Sequence, residues 1–195
     1  MGRWAPDARG RLAEAAMALY GERGFEATTV AEIAERAGLT ERTFFRHYAD
    51  KREVLFAGAD ALREFLVGHV EAAPAALPPL EAIATALCAA GDDIFEEMGD
   101  FARQRQAIIA ANAELQEREL IKLASLASTL ADALRRRGVR DPAASLAAEA
   151  GIAVFRIAFE DWTAGDRGRT LSACIRASLK ELGHVAAGPE TAARR

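Results

Sequence analysis

Three helix-start signals between positions 29 and 50 constrain the fold more than any other feature of the sequence. Thr29 and Asp50 each have a glutamate three residues later, the spacing of a capping box, and Thr40 is a side chain preferred at helix N-caps. Gly38 stands where a helix before Thr40 must end, and glycine accepts the left-handed conformation of such ends. The pattern predicts short, closely spaced helices.

Apolar residues recur at helical spacing through the remaining sequence, and the alternation typical of strands is missing. With 195 residues and 51% hydrophobic residues, the chain is typical of a globular protein with a sizeable core. We expect an all-α protein of about nine helices, with a three-helix N-terminal domain at residues 1–55. A long helix from Lys51 to about Ala73 is expected to join it to a larger helical domain at residues 56–195.

The charge distribution restricts any nucleic-acid contact to one short segment. The formal net charge is −4, which excludes a generally basic nucleic-acid-binding protein. Residues 40–52, however, carry two anions against four cations, which are Arg42, Arg46, Lys51 and Arg52. A nucleic-acid contact would therefore be local.

Residues 29–48 have the plan of a helix-turn-helix motif, in which one helix braces a second that enters the major groove. Ala34 and Ala37 are small enough to let the two helices approach each other. Phe44 and Tyr48 lie four residues apart and are predicted to point inward, whereas Phe45 must then point outward. A rigid angle between the helices would present one helix face to the bases.

The outward face of the second helix combines cations with an aromatic ring. Arg42 is predicted to read a guanine, because its two-pronged guanidinium suits guanine O6 and N7. Phe45 is expected to pack on thymine methyls or sugars beside Arg46. Helix N-termini bind phosphate, which predicts backbone contacts at Thr29 and Lys51.

The N-terminal arginines leave two interpretations open. Arg3, Arg9 and Arg11 form either an arm that reaches the adjacent minor groove or a solvated terminus.

The segment at residues 28–56 resembles the DNA-binding region of the tetracycline-repressor (TetR) family of transcriptional regulators; it reads TTVAEIAERAGLTERTFFRHYADKREVLF. The similarity extends over about residues 9–57, and the later helix lengths are similar to those of the family's ligand-binding and dimerisation domain. The resemblance implies a homodimer that binds a palindromic operator and usually represses until a small molecule binds the C-terminal domain.

The resemblance also implies which residues contact DNA. Residues at positions that usually contact DNA in the family are Thr29, Thr43, Phe45, His47 and Lys51. Candidates at variable positions are Glu41, Arg42 and Arg46, and Thr40 at the start of the helix completes the set. The family commonly has a tyrosine in place of Phe45, so the missing hydroxyl is expected to shift phosphate contact to Arg46 and His47.

Small residues recur along one face of the helix predicted at residues 142–165. Such a stripe permits close packing either across a two-fold axis or inside one chain. Two recognition helices must lie about 34 Å apart on one duplex, so we expect the stripe to pack across a two-fold axis. The predicted interface residues are Ala143, Ala147, Gly151, Val154 and Ala158.

Apolar and aromatic residues of the larger domain are candidates for a ligand cavity between helices. Rings at helical spacing also suit an ordinary core, so both interpretations stay open. The candidate lining residues are Phe95, Met98, Phe101, Ile108, Phe155, Phe159 and Trp162, with Arg103 or Glu160 as a polar anchor.

The sequence lacks the residues that enzymes and metal-binding proteins need. The sequence contains three histidines, no HExxH, no phosphate-binding glycine loop and no nucleophile elbow, so we expect neither an enzyme nor a cofactor or metal site. One Glu-x-x-His spacing, Glu181 to His184, is too little for a di-iron bundle, and Gly183 is expected to end the last helix there. We expect a cytoplasmic protein without a membrane segment; the alternative function is a helical protein- or ligand-binding module that does not bind DNA.

Overall fold

The computed structural model describes residues 8–187, and within this range the chain is helical and contains no strand. The all-α prediction is confirmed. The helices are α1 (Ala8–Arg23), α2 (Val30–Arg36), α3 (Glu41–His47), α4 (Ala59–Ala72), α5 (Pro79–Asp93), α6 (Gly99–Ala110), α7 (Ala113–Arg136), α8 (Ala143–Ala164) and α9 (Leu171–Ala187). None of these helices is long and apolar enough to cross a membrane.

The described residues form two compact units. The first unit contains residues 8–60 and 103–118, and the second contains residues 61–102 and 119–187. Residues 103–118 therefore join the N-terminal helices, although they follow them by more than 40 positions. The division into domains 1–55 and 56–195 stays a prediction.

In the first unit, α1, α2 and α3 pack around a small core. The inward face of α1 carries Leu12, Ala16, Leu19 and Tyr20, which are all buried. Gly24 ends α1 with a positive φ of 85°, a conformation that a side chain would strain.

The single helix predicted from Lys51 to about Ala73 is wrong. The chain instead forms a 3₁₀ turn at Glu53–Phe56 and begins α4 only at Ala59. Val54, Leu55 and Phe56 are all buried, and three consecutive residues cannot share one face of an α-helix. All three side chains are nevertheless buried, because α1 and residues of α6 pack around this turn.

In the second unit, α5 packs against both α8 and α9, and glycines lie at both contacts. A Cβ atom on Gly91 of α5 would approach the Ser172 backbone nitrogen of α9 to 2.9 Å. A Cβ atom on Gly151 of α8 would approach Ile83 Cγ2 of α5 to 2.5 Å. Only glycine permits these close helix contacts. α5 continues through Gly91 to Asp93.

This packing corrects the predicted dimer interface. Ala147, Gly151, Val154 and Ala158 are buried inside the second unit, so the stripe of small residues packs within one chain. Ala143 is exposed at the first turn of α8. The sequence pattern identified a close helix contact correctly but assigned it to the wrong partner.

The end of the last helix also differs from the prediction. α9 continues past Gly183 to Ala187, and the residues after 187 lie outside the described range. An interior glycine costs a helix only about 1 kcal/mol relative to alanine, which the preceding packed turns tolerate. The expectation that Gly183 ends the last helix is therefore wrong.

Candidate nucleic-acid interface

The turn between α2 and α3 has a fixed geometry. Gly38 has a φ of 65°, its amide donates to the Glu35 carbonyl at 2.9 Å, and the Leu39 amide donates to the Ala34 carbonyl at 2.8 Å. These two bonds form a Schellman motif, which ends α2 and redirects the chain. α3 then starts three residues after the glycine.

Both short helices have side-chain N-caps, as predicted. Thr29 caps α2 in a complete capping box: its hydroxyl accepts from the Glu32 amide, and the Glu32 carboxylate accepts from the Thr29 amide at 2.9 Å. Thr40 caps α3 by accepting from the Thr43 amide at 3.2 Å. The helices thus begin at defined residues in spite of their seven-residue length.

Two adjacent rings on α3 have opposite roles. Phe44 is fully buried and packs against Tyr48, with ring centroids 5.6 Å apart. Phe45 is 55% exposed and touches Phe44 edge-on. The predicted inward and outward assignments are confirmed, and the buried ring fixes the rotation of α3.

The exposed face of α3 carries the cations that point away from the core. Arg42 is exposed and makes no hydrogen bond or ion pair with any residue in the 8–187 range. Arg46 is also exposed and lies 3.5 Å from the half-buried His47 ring. These groups can bind phosphates or base edges without first breaking a strong internal bond.

The other two cations of the segment, Lys51 and Arg52, are half-buried and already bonded to polar partners. The Lys51 ammonium group donates to backbone carbonyls of the α1–α2 loop, and Arg52 pairs with Asp50 and Glu114. This geometry disfavours the phosphate contact predicted for Lys51, because its donors are already used. Two of the four cations in residues 40–52 are therefore already engaged within the first unit.

The N-terminal arginines do not form a free arm in the described range. Arg9 and Arg11 lie in α1, and Arg9 Nη2 donates to the Ala57 carbonyl at 2.8 Å. Its guanidinium also lies 5.7 Å from the centre of the Tyr48 ring. Arg3 lies outside the described residues.

Burial and hydrogen bonds shift the pKa values of three ionisable groups in the first unit. Burial would raise the pKa of Asp50, but hydrogen bonds from Arg52 and the Glu53 amide outweigh it and hold that pKa below its ordinary value. Hydrogen bonds from Thr29 lower the pKa of Glu32. Burial raises the pKa of Tyr20. These groups therefore keep their ordinary charge states at neutral pH.

Residues from α6 and α7 brace the first unit, and the sequence pattern did not predict them. Gln104 Nε2 donates to the Met17 carbonyl at 2.9 Å, and Arg105 Nε donates to the Leu55 carbonyl at 2.7 Å. Arg118 Nε contacts the Glu53 carboxylate at 2.6 Å. Such partners lie too far apart in sequence for spacing to identify them.

The candidate ligand residues divide between the two units. Arg103 and Ile108 belong to the first unit, and the others belong to the second. Four of the latter form what we term the aromatic cluster, with ring centroids 5.6–6.2 Å apart; it consists of Phe95, Phe155, Phe159 and Trp162. A surface cavity of about 470 Å³ is lined by none of the candidates but by Glu71, Ala73, Ala75, Arg136 and Arg137. The ligand role of the predicted set stays a prediction.

A capped pair of short helices, a Schellman turn between them and outward cations on the second define a helix-turn-helix DNA-binding protein. Comparison with known families agrees. Residues 12–57 match the family described as bacterial regulatory proteins, tetR family, and residues 77–187 match the MftR C-terminal domain. The second match covers more than half of the chain, and the protein therefore belongs to the TetR family of transcriptional regulators.

Curated relatives are similar over only part of the chain. The regulator TcmR from Streptomyces glaucescens is 40% identical over 78 residues, which are 40% of this chain and 34% of TcmR. The repressor KstR2 from Mycobacterium tuberculosis is 43% identical over 58 residues, which are 30% of this chain and 28% of KstR2. The chain thus matches about a third of the length of either relative.

A solved structure matches nearly the whole chain. The TetR-family repressor FadR from Thermus thermophilus, in complex with lauroyl-CoA, aligns with a TM-score of 0.56 and 24% identity. The alignment covers 96% of this chain and 99% of that protein. At this identity, the likeness establishes the fold alone.

Proposed function

We propose that this protein is a transcriptional repressor that binds a palindromic operator as a homodimer and leaves it when a small molecule binds the second unit. The observation that carries the proposal is the geometry of α3, which Phe44 anchors and which presents Arg42, Phe45 and Arg46 to solvent. Since an operator lies on the chromosome, the proposal locates the protein in the cytoplasm. It requires no catalytic step and no cofactor.

Selection of bound sequences from a random duplex pool tests the proposal directly. Two copies of α3 on one face of a duplex should enrich a palindrome whose half-sites are about one helical turn apart. Affinity for the enriched duplex should fall steeply as salt rises. Failure to enrich any sequence would contradict the proposal and favour a helical protein- or ligand-binding module.

Arg42 is proposed to read a base, because residues near the N-terminus of a recognition helix contact base edges. Arg42→Ala should relax preference at one position per half-site by about 1–3 kcal/mol. Arg46→Ala is the matched control, since loss of a phosphate contact should weaken all sequences alike. A uniform loss for Arg42→Ala across operator variants would refute this role.

The remaining candidates on this surface support the contact in different ways. Thr29, Thr40 and Thr43 lie at helix N-termini, and one hydroxyl of the Thr40–Thr43 pair can donate to a phosphate oxygen. Thr29 would first have to give up its bonds to Glu32. His47 lies at the end of α3 beside Arg46 and is proposed to add a backbone contact. Glu41 in the first turn can accept from a cytosine N4 amino group.

The outward face of α8 is the proposed dimer interface, in place of the buried small-residue stripe. Leu146 and Ile157 are 65% and 51% exposed, and they lie eleven positions apart, about three helical turns, with Ala150 and Ala153 between them on the same face. Large exposed apolar residues on one helix face are typical of interaction surfaces.

A charge placed on this face should separate the subunits. Ile157→Lys should shift the sedimentation of the protein from dimer to monomer and weaken operator binding. Leu120→Lys is the matched control, because Leu120 is a similarly exposed residue on α7. Retention of the dimer by Ile157→Lys would exclude this face.

The aromatic cluster is proposed to line the effector site, together with Met98, Phe101 and Glu160, the other candidates in the second unit. Lauroyl-CoA, the ligand in the T. thermophilus FadR structure, is a suitable first probe. In a Trp4→Phe background, its binding should change Trp162 fluorescence and lower operator affinity. Phe159→Ala should reduce the fluorescence response, and an unchanged response would exclude the cluster for this probe.

A further inference from the structure

The Lys51 ammonium group is enclosed by the loop that joins α1 to α2. Its nitrogen donates to the Phe25 and Thr28 carbonyls, each at 2.8 Å, and to the Glu26 carbonyl at 3.2 Å. It also lies 4.4 Å from the centre of the Phe25 ring. A lysine ammonium has three donor hydrogens, so these carbonyls use its full capacity.

The backbone of the same residue is held from the opposite side. The Tyr20 hydroxyl donates to the Lys51 carbonyl at 2.6 Å, and the Tyr20 ring packs edge-on against Phe25 at 5.2 Å. Lys51 is therefore bonded at both ends to the region in which α1 ends and α2 begins.

We propose that Lys51 is a positioning residue for the DNA-reading helices and not a phosphate contact. Its charge draws three carbonyl oxygens together, which would repel one another without a cation between them. The loop that it fixes leads directly into the Thr29 cap of α2, and α2 packs against α3. The inference rests on the proposed function, since positioning is meaningful only if α3 reads DNA.

A comparison with Arg46 gives the inference its test. Arg46 is exposed, with one weak contact to His47, whereas Lys51 would have to give up an existing bond to reach a phosphate. A residue that neutralises a phosphate changes the salt dependence of DNA binding, because binding releases counterions. A residue that only positions the helices changes the affinity without changing that dependence.

The experiment measures operator affinity of the full chain from about 50 to 200 mM salt, at a temperature at which every variant is folded by circular dichroism. Lys51→Met keeps the aliphatic stem and removes the three hydrogen bonds. It should weaken binding about fivefold or more at every salt concentration, with an unchanged slope. Arg46→Ala is the comparison variant and should reduce the slope by about 1 per bound copy.

Hydrogen exchange of the free protein supplies a readout that a phosphate contact would not affect. Lys51→Met should accelerate exchange at the amides of residues 28–33, while amides of α5 keep their wild-type rates. Slope reduction by Lys51→Met, or unchanged exchange at residues 28–33, would overturn the positioning role. Failure of the wild-type chain to bind any duplex would instead overturn the proposed function, and the exchange comparison would still test the loop contact.

Discussion

Small residues allow helices to pack closely in both units. In the first unit the neighbouring helix keeps an exposed face, whereas in the second unit the small residues are buried. In the first unit, Ala34 and Ala37 let α2 approach its neighbours, and the neighbouring α3 keeps an exposed face. In the second unit, Gly91 and Gly151 let α5 pack between two long helices, and the small residues disappear into the core. A stripe of small residues therefore indicates a close helix contact but not whether the partner helix belongs to the same chain.

Sequence patterns predict the first unit better than the second because its caps and turns join residues that are close in the sequence. Caps and turns in the first unit join residues three to five positions apart, so the sequence specifies them locally. The contact between Gly151 and Ile83 joins residues on different helices, and its partner is decided only by the complete fold.

The largest expected effect contrasts the two adjacent rings of α3. Phe44→Ala should destabilise the protein by about 3–5 kcal/mol, because it leaves a cavity in a fully buried site. Phe45→Ala should change stability by less than about 0.5 kcal/mol and weaken operator binding instead. Urea unfolding and a DNA-binding titration of both variants check this, and equal losses of stability would contradict the assigned orientation.

The second effect concerns helix packing in the other unit. Gly151→Ala should destabilise by about 1–3 kcal/mol, since the new methyl group would overlap Ile83. Gly68→Ala in α4 is the control, because no atom lies within 4 Å of its added Cβ, and it should stabilise by up to about 1 kcal/mol. Thermal unfolding of both variants measures the difference, and a neutral Gly151→Ala would show that α5 and α8 separate easily.

Loss of a cap should have a smaller and more local effect. Thr40→Ala removes the acceptor for the Thr43 amide and should cost about 1 kcal/mol. Thr40→Ser keeps the hydroxyl and should retain most of the stability. Urea unfolding gives the size of the loss, and hydrogen exchange should locate it in α3. Equal behaviour of the two variants would mean that the cap does not stabilise α3.

The smallest expected effect is the acid sensitivity contributed by Asp50. Its pKa in the folded chain lies below the ordinary value, so its ion pair with Arg52 stabilises the fold above about pH 4 and this contribution is lost as pH falls further. The stability difference between wild type and Asp50→Asn should therefore be constant near neutral pH and shrink below about pH 4. A difference that grows on acidification would contradict the assignment.

Much of the fold and part of the candidate site followed from local pattern. The bounds of α3, both threonine caps, the turn at Gly38 and the orientation of Phe44 depend on interactions within a few residues. Their signals therefore survive in the sequence even without knowledge of the tertiary structure.

The features that the sequence did not reveal depend on contacts between residues far apart in the chain. The phosphate contact of Lys51 stays a prediction, but its ammonium group donates to carbonyls more than 20 positions earlier, which its place near a helix start did not indicate. The 3₁₀ turn at Glu53–Phe56 carries three consecutive buried side chains, in a core formed with residues that are distant in the sequence. No spacing rule identifies such a core before the chain has folded.

The short helix α3 is stabilised by Thr40 at its start and by the buried Phe44 and Tyr48 rings, whereas Arg42, Phe45 and Arg46 are exposed and only Phe45 touches the buried rings, edge-on. Within this seven-residue helix, the residue that anchors it in the core and the residues proposed to contact DNA are therefore different. Substituting Arg42, Phe45 and Arg46 alone should therefore change the DNA sequence that the protein binds and leave its fold intact. Duplicated genes can diverge into new regulators by this route.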